Sequence, residues 1–298
     1  MEKKEEIKRI TDSLENFGLL FNAGKIYRDY INDVKNNTVR EDGTCQLFNI
    51  IDYYISAVPK VITILKKGKI LYRARIVDSQ QISRSAGIDV DSDGKTLGFG
   101  ESDSREAPLG MSSSGRNNIT GVSYLYLADR LETACVEVKP KVRQLISVAE
   151  FKVTKTMHIV DFSHDYRFER EESLEQKVAL GPLFTYVMTQ YVNPVVDPIE
   201  YKATQILTDH IRKTGIDGIS YKSFFDDQGK NYTIFNSSRS NFDFVGSKIV
   251  MLQSERRTIL DFNKQCVREA KTVGEARYNE SFAEEVISEI EYKLNTEE

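Results

Sequence analysis

The stretch Ile70-Leu-Tyr-Arg-Ala-Arg-Ile76 sets how the rest of the chain is read. It is apolar, β-branched and aromatic, which suits a strand, and a strand sends alternate side chains to opposite faces. Leu71, Arg73 and Arg75 therefore share one face. Ile70, Tyr72, Ala74 and Ile76 take the other, which is the better candidate for core. Two guanidinium groups on one face can clamp a diphosphate bidentately or pair with carboxylates, and the spacing leaves both open. Four more runs of the same kind follow at Ser123–Ala128, Leu145–Val153, His158–Phe162 and Gly218–Tyr221. Helical stretches are expected near Arg130–Ala134, from Ser173 to about Tyr191 with a break at Gly181-Pro182, and from Tyr201 to Lys213, closed by Gly215. Strands and helices do not alternate strictly. The expectation is an α+β fold with a mixed, antiparallel-rich sheet rather than a doubly wound parallel one.

On either side of this region the pattern is helical. Ile7, Ile10, Leu14, Phe17 and Phe21 recur at helical spacing, and so do Leu47, Ile50, Ile51, Tyr54 and Val58, with a polar loop over Asn36–Thr44 between them. Phe282, Val286, Ile290 and Leu294 form a last amphipathic segment. Three parts are expected: a helical extension over 1–67, a mixed domain over 68–250 and a helical tail over 251–298. Within the middle part, Ser79–Ser114 is polar and rich in Ser, Asp and Gly. A connection this long with little pattern of its own is often a functional loop.

Composition removes several classes of function. The 298 residues are 40% hydrophobic and 29% charged, so the chain has enough apolar surface to offset the entropy of ordering. A formal net charge of -4 provides no overall basic field, and no nucleic-acid binding is expected. No apolar run approaches the ~20 residues of a membrane span, and the start Met1-Glu-Lys-Lys-Glu-Glu6 has no signal-peptide core. Cys45, Cys135 and Cys266 lie far apart without a CxxC pair. A cytoplasmic, reduced, globular protein is the expectation. His158, His164 and His210 have neither HxxxH nor HExxH spacing, and no GxxxxGK[ST] or GxSxG occurs, so no metal site, phosphate loop or serine-hydrolase elbow is expected.

What remains is polar residues attached to strands. Taken singly, each has an ordinary structural reading: a solvated strand arginine, a turn at Gly115-Arg-Asn-Asn118, a core Tyr126, a solvent-facing Glu137, a capping Ser223. Taken in order they form a specific set. Leu71-Tyr-Arg-Ala-Arg75, then Gly115-Arg-Asn-Asn-Ile-Thr-Gly-Val-Ser-Tyr-Leu-Tyr-Leu-Ala128, Glu132-Thr-Ala-Cys-Val-Glu-Val138, Tyr201-Lys-Ala-Thr-Gln205 and Gly215-Ile-Asp-Gly-Ile-Ser-Tyr-Lys-Ser223 resemble the RES domain over roughly Gly68 to Phe235. The helical N-terminal region resembles the extension that longer members carry.

The resemblance implies a fold related to ADP-ribosyltransferases and degradation of NAD+ at the nicotinamide–ribose bond, by hydrolysis or phosphorolysis. It also implies a toxin role opposed by a protein antitoxin. By motif position it assigns the catalytic residues to Arg73, Glu137 and Ser223, and NAD+ contacts to Tyr72, Arg75, Arg116, Tyr126 and Asn231. No cofactor is implied: NAD+ is the substrate and inorganic phosphate a candidate co-substrate. In this reading Glu137 faces the ribose, Arg73 and Arg116 hold the diphosphate, Tyr126 meets nicotinamide or ribose, and Ser223 hydrogen-bonds the carboxamide or a phosphate oxygen. Transfer of ADP-ribose to a macromolecule, a non-enzymatic interaction module and a homo-oligomer built through the helical ends stay open.

Overall fold

The computed structural model describes residues 23–40, 44–57, 61–77, 88–90, 97–163, 180–192 and 198–251. The chain divides into two units, Met1–Gln253 and Ser254–Glu298. The second, with the expected tail helix, lies outside the described residues, as do the expected helix over Ile7–Phe21, Cys266 and His164.

In chain order the elements are helix α1 (23–36), α2 (Gln46–Ala57), strands β1 (Ile62–Leu65) and β2 (Ile70–Ile76), the short pair β3 (Ile88–Val90) and β4 (Leu97–Phe99), then α3 (Glu101–Ser104) and β5 (Leu125–Ala128). These are followed by α4 (Leu131–Glu137), β6 (Leu145–Val153), β7 (Met157–Asp161), α5 (Leu180–Val192), α6 (Pro198–Lys213), β8 (Gly218–Lys222), β9 (Lys230–Ile234) and β10 (Phe242–Met251). Eight strands form one sheet in the order β1-β7-β8-β9-β5-β2-β6-β10, and β3 pairs with β4. Within the large sheet only β7–β8 is parallel, so the α+β class with an antiparallel-rich sheet is what the structure shows.

Three corrections to the sequence reading follow. Ile62–Leu65, expected within the helical extension, is a strand: Val61-Ile-Thr-Ile is β-branched, and pairing with β7 places it at the sheet edge. Gly181-Pro182 does not break α5 but lies in its first turn, where the N–H that proline lacks would have no intrahelical partner. The polar Ser79–Ser114 stretch is not featureless, since it contains β3, β4 and α3. Gly98 of β4 lies so close to Ser147 and Ser247 that a Cβ would come within 2.7 Å and 2.6 Å of their hydroxyls. Those two serines bind the backbone N–H and carbonyl of Phe99 and dock the hairpin on the sheet. Two further expectations hold: α2 covers Leu47–Tyr54 of the predicted helix, and Gly215, at φ +89°, ends the chain's turn out of α6.

Both faces of the sheet are covered, which revises the choice of a single core face for β2. On one face Leu71 is fully buried with Leu125, Leu127, Phe151, Val153 and Ile159. The opposite face is covered in two separate places. Helices α1, α2, α5 and α6 bury Ile26, Tyr30, Leu47, Ile51, Val187 and Leu207 against Val160, Ile219 and Tyr221. The apolar positions of α6, Ala203, Leu207 and Ile211, are four apart and form one stripe. At the other end α4 lays Ala134 on Ala74, Ala128 and Val148. Register pairs Ala128 with Asn231 and Asn231 with Tyr221, so these residues share a face. Between the helical layer and α4, that face presents polar side chains. No helix among the described residues is long and apolar enough to cross a membrane.

Candidate functional site

Helix α4 is only seven residues long, and Glu137 is its last. Its apolar side rests on the sheet, which carries the terminal carboxylate to the ends of β8 and β9. There the Ser223 hydroxyl and the Asn231 amide each donate to Glu137 Oε1 at 2.6 Å. Oε2 carries neither bond. Ser223 and Asn231 are 5% and 8% exposed, so these donors are fixed by burial as well as by bonding. The Ser223 Oγ also accepts from the backbone N–H groups of Phe225 and Asp226 at 3.1 and 3.2 Å, a serine turn leading into the β8–β9 loop. Its single proton is thus directed at Glu137. The loop is tied to α4 by Thr133, which donates to Asp226 Oδ2 at 2.5 Å, and there is no room beside Thr133 for a side chain on Gly229.

Tyr126 lies on the same face, opposite Thr233. Its hydroxyl donates to Asn118 Oδ1 at 2.6 Å, and the Asn118 amide donates to the carbonyls of Ser113, Ile119 and Val122, closing the loop upon itself. Burial pushes the Tyr126 phenol well above its ordinary value, so it remains a neutral donor. A Cβ on Gly115 would meet Asn118 Oδ1 at 2.7 Å and the Tyr126 hydroxyl at 3.3 Å, which is why glycine stands there. Asn117, 1% exposed, donates to Thr233 Oγ1 at 2.6 Å and to the Tyr221 hydroxyl at 3.3 Å. From α6, Gln205 donates to the Gly115 carbonyl at 2.7 Å and Thr204 to the Arg116 carbonyl at 2.7 Å. The loop is therefore clamped between the sheet and α6.

Arg116 is on this loop, yet its guanidinium turns to the helical layer. It donates to the Gln190 carbonyl of α5 and lies 5.7 Å over the Tyr201 ring. Arg75 is likewise engaged in structure: its Nη2 donates to the Arg105 carbonyl at 2.8 Å. Arg105 in turn is buried, donating to the Ser237 and Phe242 carbonyls and to Glu101. The structure does not bring Arg75 to the Glu137 cluster, and Arg116 reaches the region with its hydrogen bonds already directed elsewhere. Tyr72 pairs with Ala128 and so shares the face of Tyr126 and Asn231, half-buried against the α4 core.

Arg73 behaves differently. Alternation places it with Leu71 and Arg75, but β2 and β5 are joined at the single pair Tyr72–Ala128, whereas β2 and β6 pair from Ile70 to Ile76. Beside this weakly joined seam Arg73 comes within electrostatic reach of Glu106 and Tyr126. Burial first, and then the neighbouring Arg75 charge, pull its guanidinium down to about 10 against those two groups, which leaves it charged at neutral pH. Three buried side-chain atoms lack a hydrogen-bond partner among the described residues: Arg73 Nη1, Glu106 Oε2 and Asn117 Oδ1.

Of the expected residues, then, Glu137, Ser223 and Asn231 touch one another. Tyr126 and Tyr72 share their sheet face, Arg73 stands at the seam, and Arg75 and Arg116 point elsewhere. Asn117, Asn118, Thr204, Gln205 and Glu106 were not singled out as site residues by sequence. The first four sit inside stretches whose order carries the family resemblance, while Glu106 carries no signal in the sequence.

A family model described as the RES domain matches residues 99–252, more than half of the chain. The match starts beyond Tyr72, Arg73 and Arg75. No curated protein is matched. Among solved structures the chain is similar to one described as the crystal structure of the M. tuberculosis MbcT–MbcA toxin–antitoxin complex. The likeness has 15% identity and a TM-score of 0.38, covering 70% of this chain and 96% of that one.

Proposed function

The chain belongs to the RES domain family, and we propose that it degrades NAD+ by cleaving the bond between nicotinamide N1 and ribose C1′. One observation carries this reading: a half-buried carboxylate, Glu137, held on a single oxygen by Ser223 and Asn231 and left with a second oxygen that neither uses. Departure of nicotinamide takes the bonding electron pair to its ring, which becomes neutral, and leaves oxocarbenium character on the ribose. A fixed carboxylate stabilises that positive charge without having to reorganise, and can accept a hydrogen bond from a ribose hydroxyl. The acceptor then adds at C1′, water giving ADP-ribose with loss of a proton, or phosphate giving the 1-phosphate ester.

In this reading Glu137 is catalytic, and Ser223 and Asn231 are positioning residues that act through it. Tyr126 and Tyr72 supply aromatic surface and Arg73 a cation at the edge of the site. Arg116 contributes through the loop it anchors rather than by direct contact with a diphosphate. The domain bounds of the sequence reading, with 68–250 as the catalytic part, belong to the same proposal. So does a toxin role countered by a protein antitoxin, which follows from family membership.

Phosphorus NMR of NAD+ incubated with the protein in phosphate buffer tests the chemistry. The dinucleotide signal is expected to disappear with the wild type and persist with Glu137→Gln. A ribose 1-phosphate resonance identifies phosphate as acceptor, and its absence alongside ADP-ribose identifies water. Intact NAD+ with the wild type would refute the reading. For the toxin role, induced expression is expected to arrest bacterial growth with the wild type and not with Glu137→Gln.

A further inference from the structure

Helix α4 meets the β8–β9 loop along one edge. Thr133, fully buried, donates to Asp226 Oδ2 at 2.5 Å. One turn on, Glu137 accepts from Ser223 at 2.6 Å. Residues four apart lie one above the other on a helix, so Thr133 and Glu137 present the same edge to the loop. Just past the helix Lys139, with its backbone at φ 50°, places its ammonium 5.2 Å over the Phe225 ring. The Asp226 carboxylate also accepts from Arg130 Nη1 at 3.3 Å and from the Gln228 N–H at 3.1 Å, and its side chain is only 17% exposed.

The backbone of Asp226 links this edge to the carboxylate. Its N–H donates to Ser223 Oγ at 3.2 Å, beside that of Phe225 at 3.1 Å. These two donors fill the lone pairs of the hydroxyl, and its one proton is left to point at Glu137. The residue whose N–H aims Ser223 is thus anchored, through its own carboxylate, to the helix that carries Glu137. Glu137, Ser223, Asp226 and Thr133 close a ring whose last side is one turn of α4. We infer that Asp226 and Thr133 are positioning residues for the cleavage of NAD+: their hydrogen bond keeps Ser223 donating to Oε1, so that Glu137 offers Oε2 to the ribose in a fixed direction. Such preorganisation acts on the transition state more than on substrate binding. The inference rests on the proposed role of Glu137, and it adds two residues to which the family resemblance assigns no part.

Steady-state nicotinamide release by Asp226→Ala, Thr133→Val and Thr133→Ser tests the ring, with thermal unfolding measured alongside. Asp226→Ala and Thr133→Val are each expected to lower kcat about 3- to 10-fold, the scale of one hydrogen bond, with KM within about twofold of wild type. Thr133→Ser, which keeps the hydroxyl, is expected to retain the wild-type kcat. Because Thr133 and Asp226 form one link, the double variant Thr133→Val/Asp226→Ala should be about as slow as either single one. The decisive comparison is made in the Ser223→Ala background, where Asp226→Ala is expected to change kcat by less than about twofold, since the hydroxyl it aims is gone. An equal loss in both backgrounds, or a loss that tracks a lowered unfolding midpoint, overturns the inference while leaving NAD+ cleavage standing. So does a kcat within about twofold of wild type in either Asp226→Ala or Thr133→Val. A wild type that leaves NAD+ intact overturns the proposed cleavage and this inference together.

Discussion

Two carboxylates, one on the sheet and one on a helix packed against it, are each bound by serine, and they differ in what is left over. Asp161 on β7 is 4% exposed and has both oxygens occupied. Its Oδ1 accepts from the Ser163 backbone and hydroxyl and from Ser220, and its Oδ2 from Thr63 and, at 3.4 Å, Lys230. These partners come from β1, β8, the start of β9 and the residues after β7, so the carboxylate cross-links strands. Burial works to raise its pKa, but the Ser163 hydrogen bonds and the Lys230 charge outweigh it and hold the group below the ordinary aspartate value. Glu137 at the end of α4 accepts two bonds on one oxygen and is half-buried. A saturated carboxylate has nothing to offer a ligand, whereas one that is oriented but unsaturated does. Ser163 stands two residues from Asp161, whereas Ser223 is 86 residues from Glu137, so the sequence shows the first pairing and hides the second.

The comparison predicts opposite phenotypes. Glu137→Gln is expected to slow nicotinamide release by about 10²- to 10³-fold, the scale of removing one preorganised electrostatic partner of a transition state. Its thermal unfolding midpoint should stay near that of wild type. Asp161→Asn is expected to reverse the pattern, losing about 2–4 kcal/mol of stability because buried donors and the Lys230 charge lose their partner, with turnover per folded molecule retained. Thermal denaturation followed by circular dichroism, paired with a nicotinamide assay, reads both; a stable, inactive Asp161→Asn would collapse the distinction.

A smaller effect separates orientation from chemistry. Ser223→Ala removes one of the two donors to Glu137 and is expected to lower kcat about tenfold with little change in KM. Combined with Asn231→Ala, the losses should fall short of the product of the single effects, because both residues act through one oxygen. The smallest effect is a slope. A folded-state pKa held below the unfolded value of about 4 contributes stability that is complete above that value and lost as pH falls through the lower folded value. Urea titrations at descending pH should show this loss in the wild type and a shallower one in Asp161→Asn.

Much of the fold was legible from local chemistry. Apolar and alternating runs at Ile70–Ile76 and Leu145–Val153 marked two strands with their observed bounds, and the stretch Tyr201–Lys213, stopped by Gly215, marked most of α6. Besides β1 and the β3–β4 pair, two further strands were not seen. Lys230-Asn-Tyr-Thr-Ile234 is half polar because Asn231 and Thr233 face the site, and β10 carries a bulge between Phe244 and Gly246 that interrupts its alternation. For the candidate site, the residue types were readable but their partners were not. Arg75 and Arg116 read as equals of Arg73, and only the Arg105 carbonyl and the Gln190 carbonyl distinguish them.

By itself the sequence determined the α+β class, the faces of its plainest strands, and an ordered set of Arg, Glu, Ser, Tyr and Asn that resembles one family. It did so because these follow from periodicity and residue chemistry along the chain. Tertiary structure alone decided that Glu137 meets Ser223 and Asn231, 86 and 94 residues away, and that Arg75 and Arg116 spend their guanidinium groups on backbone carbonyls. Those meetings depend on strand order and register, which are fixed by which buried faces fit against one another and not by any property that neighbouring residues share.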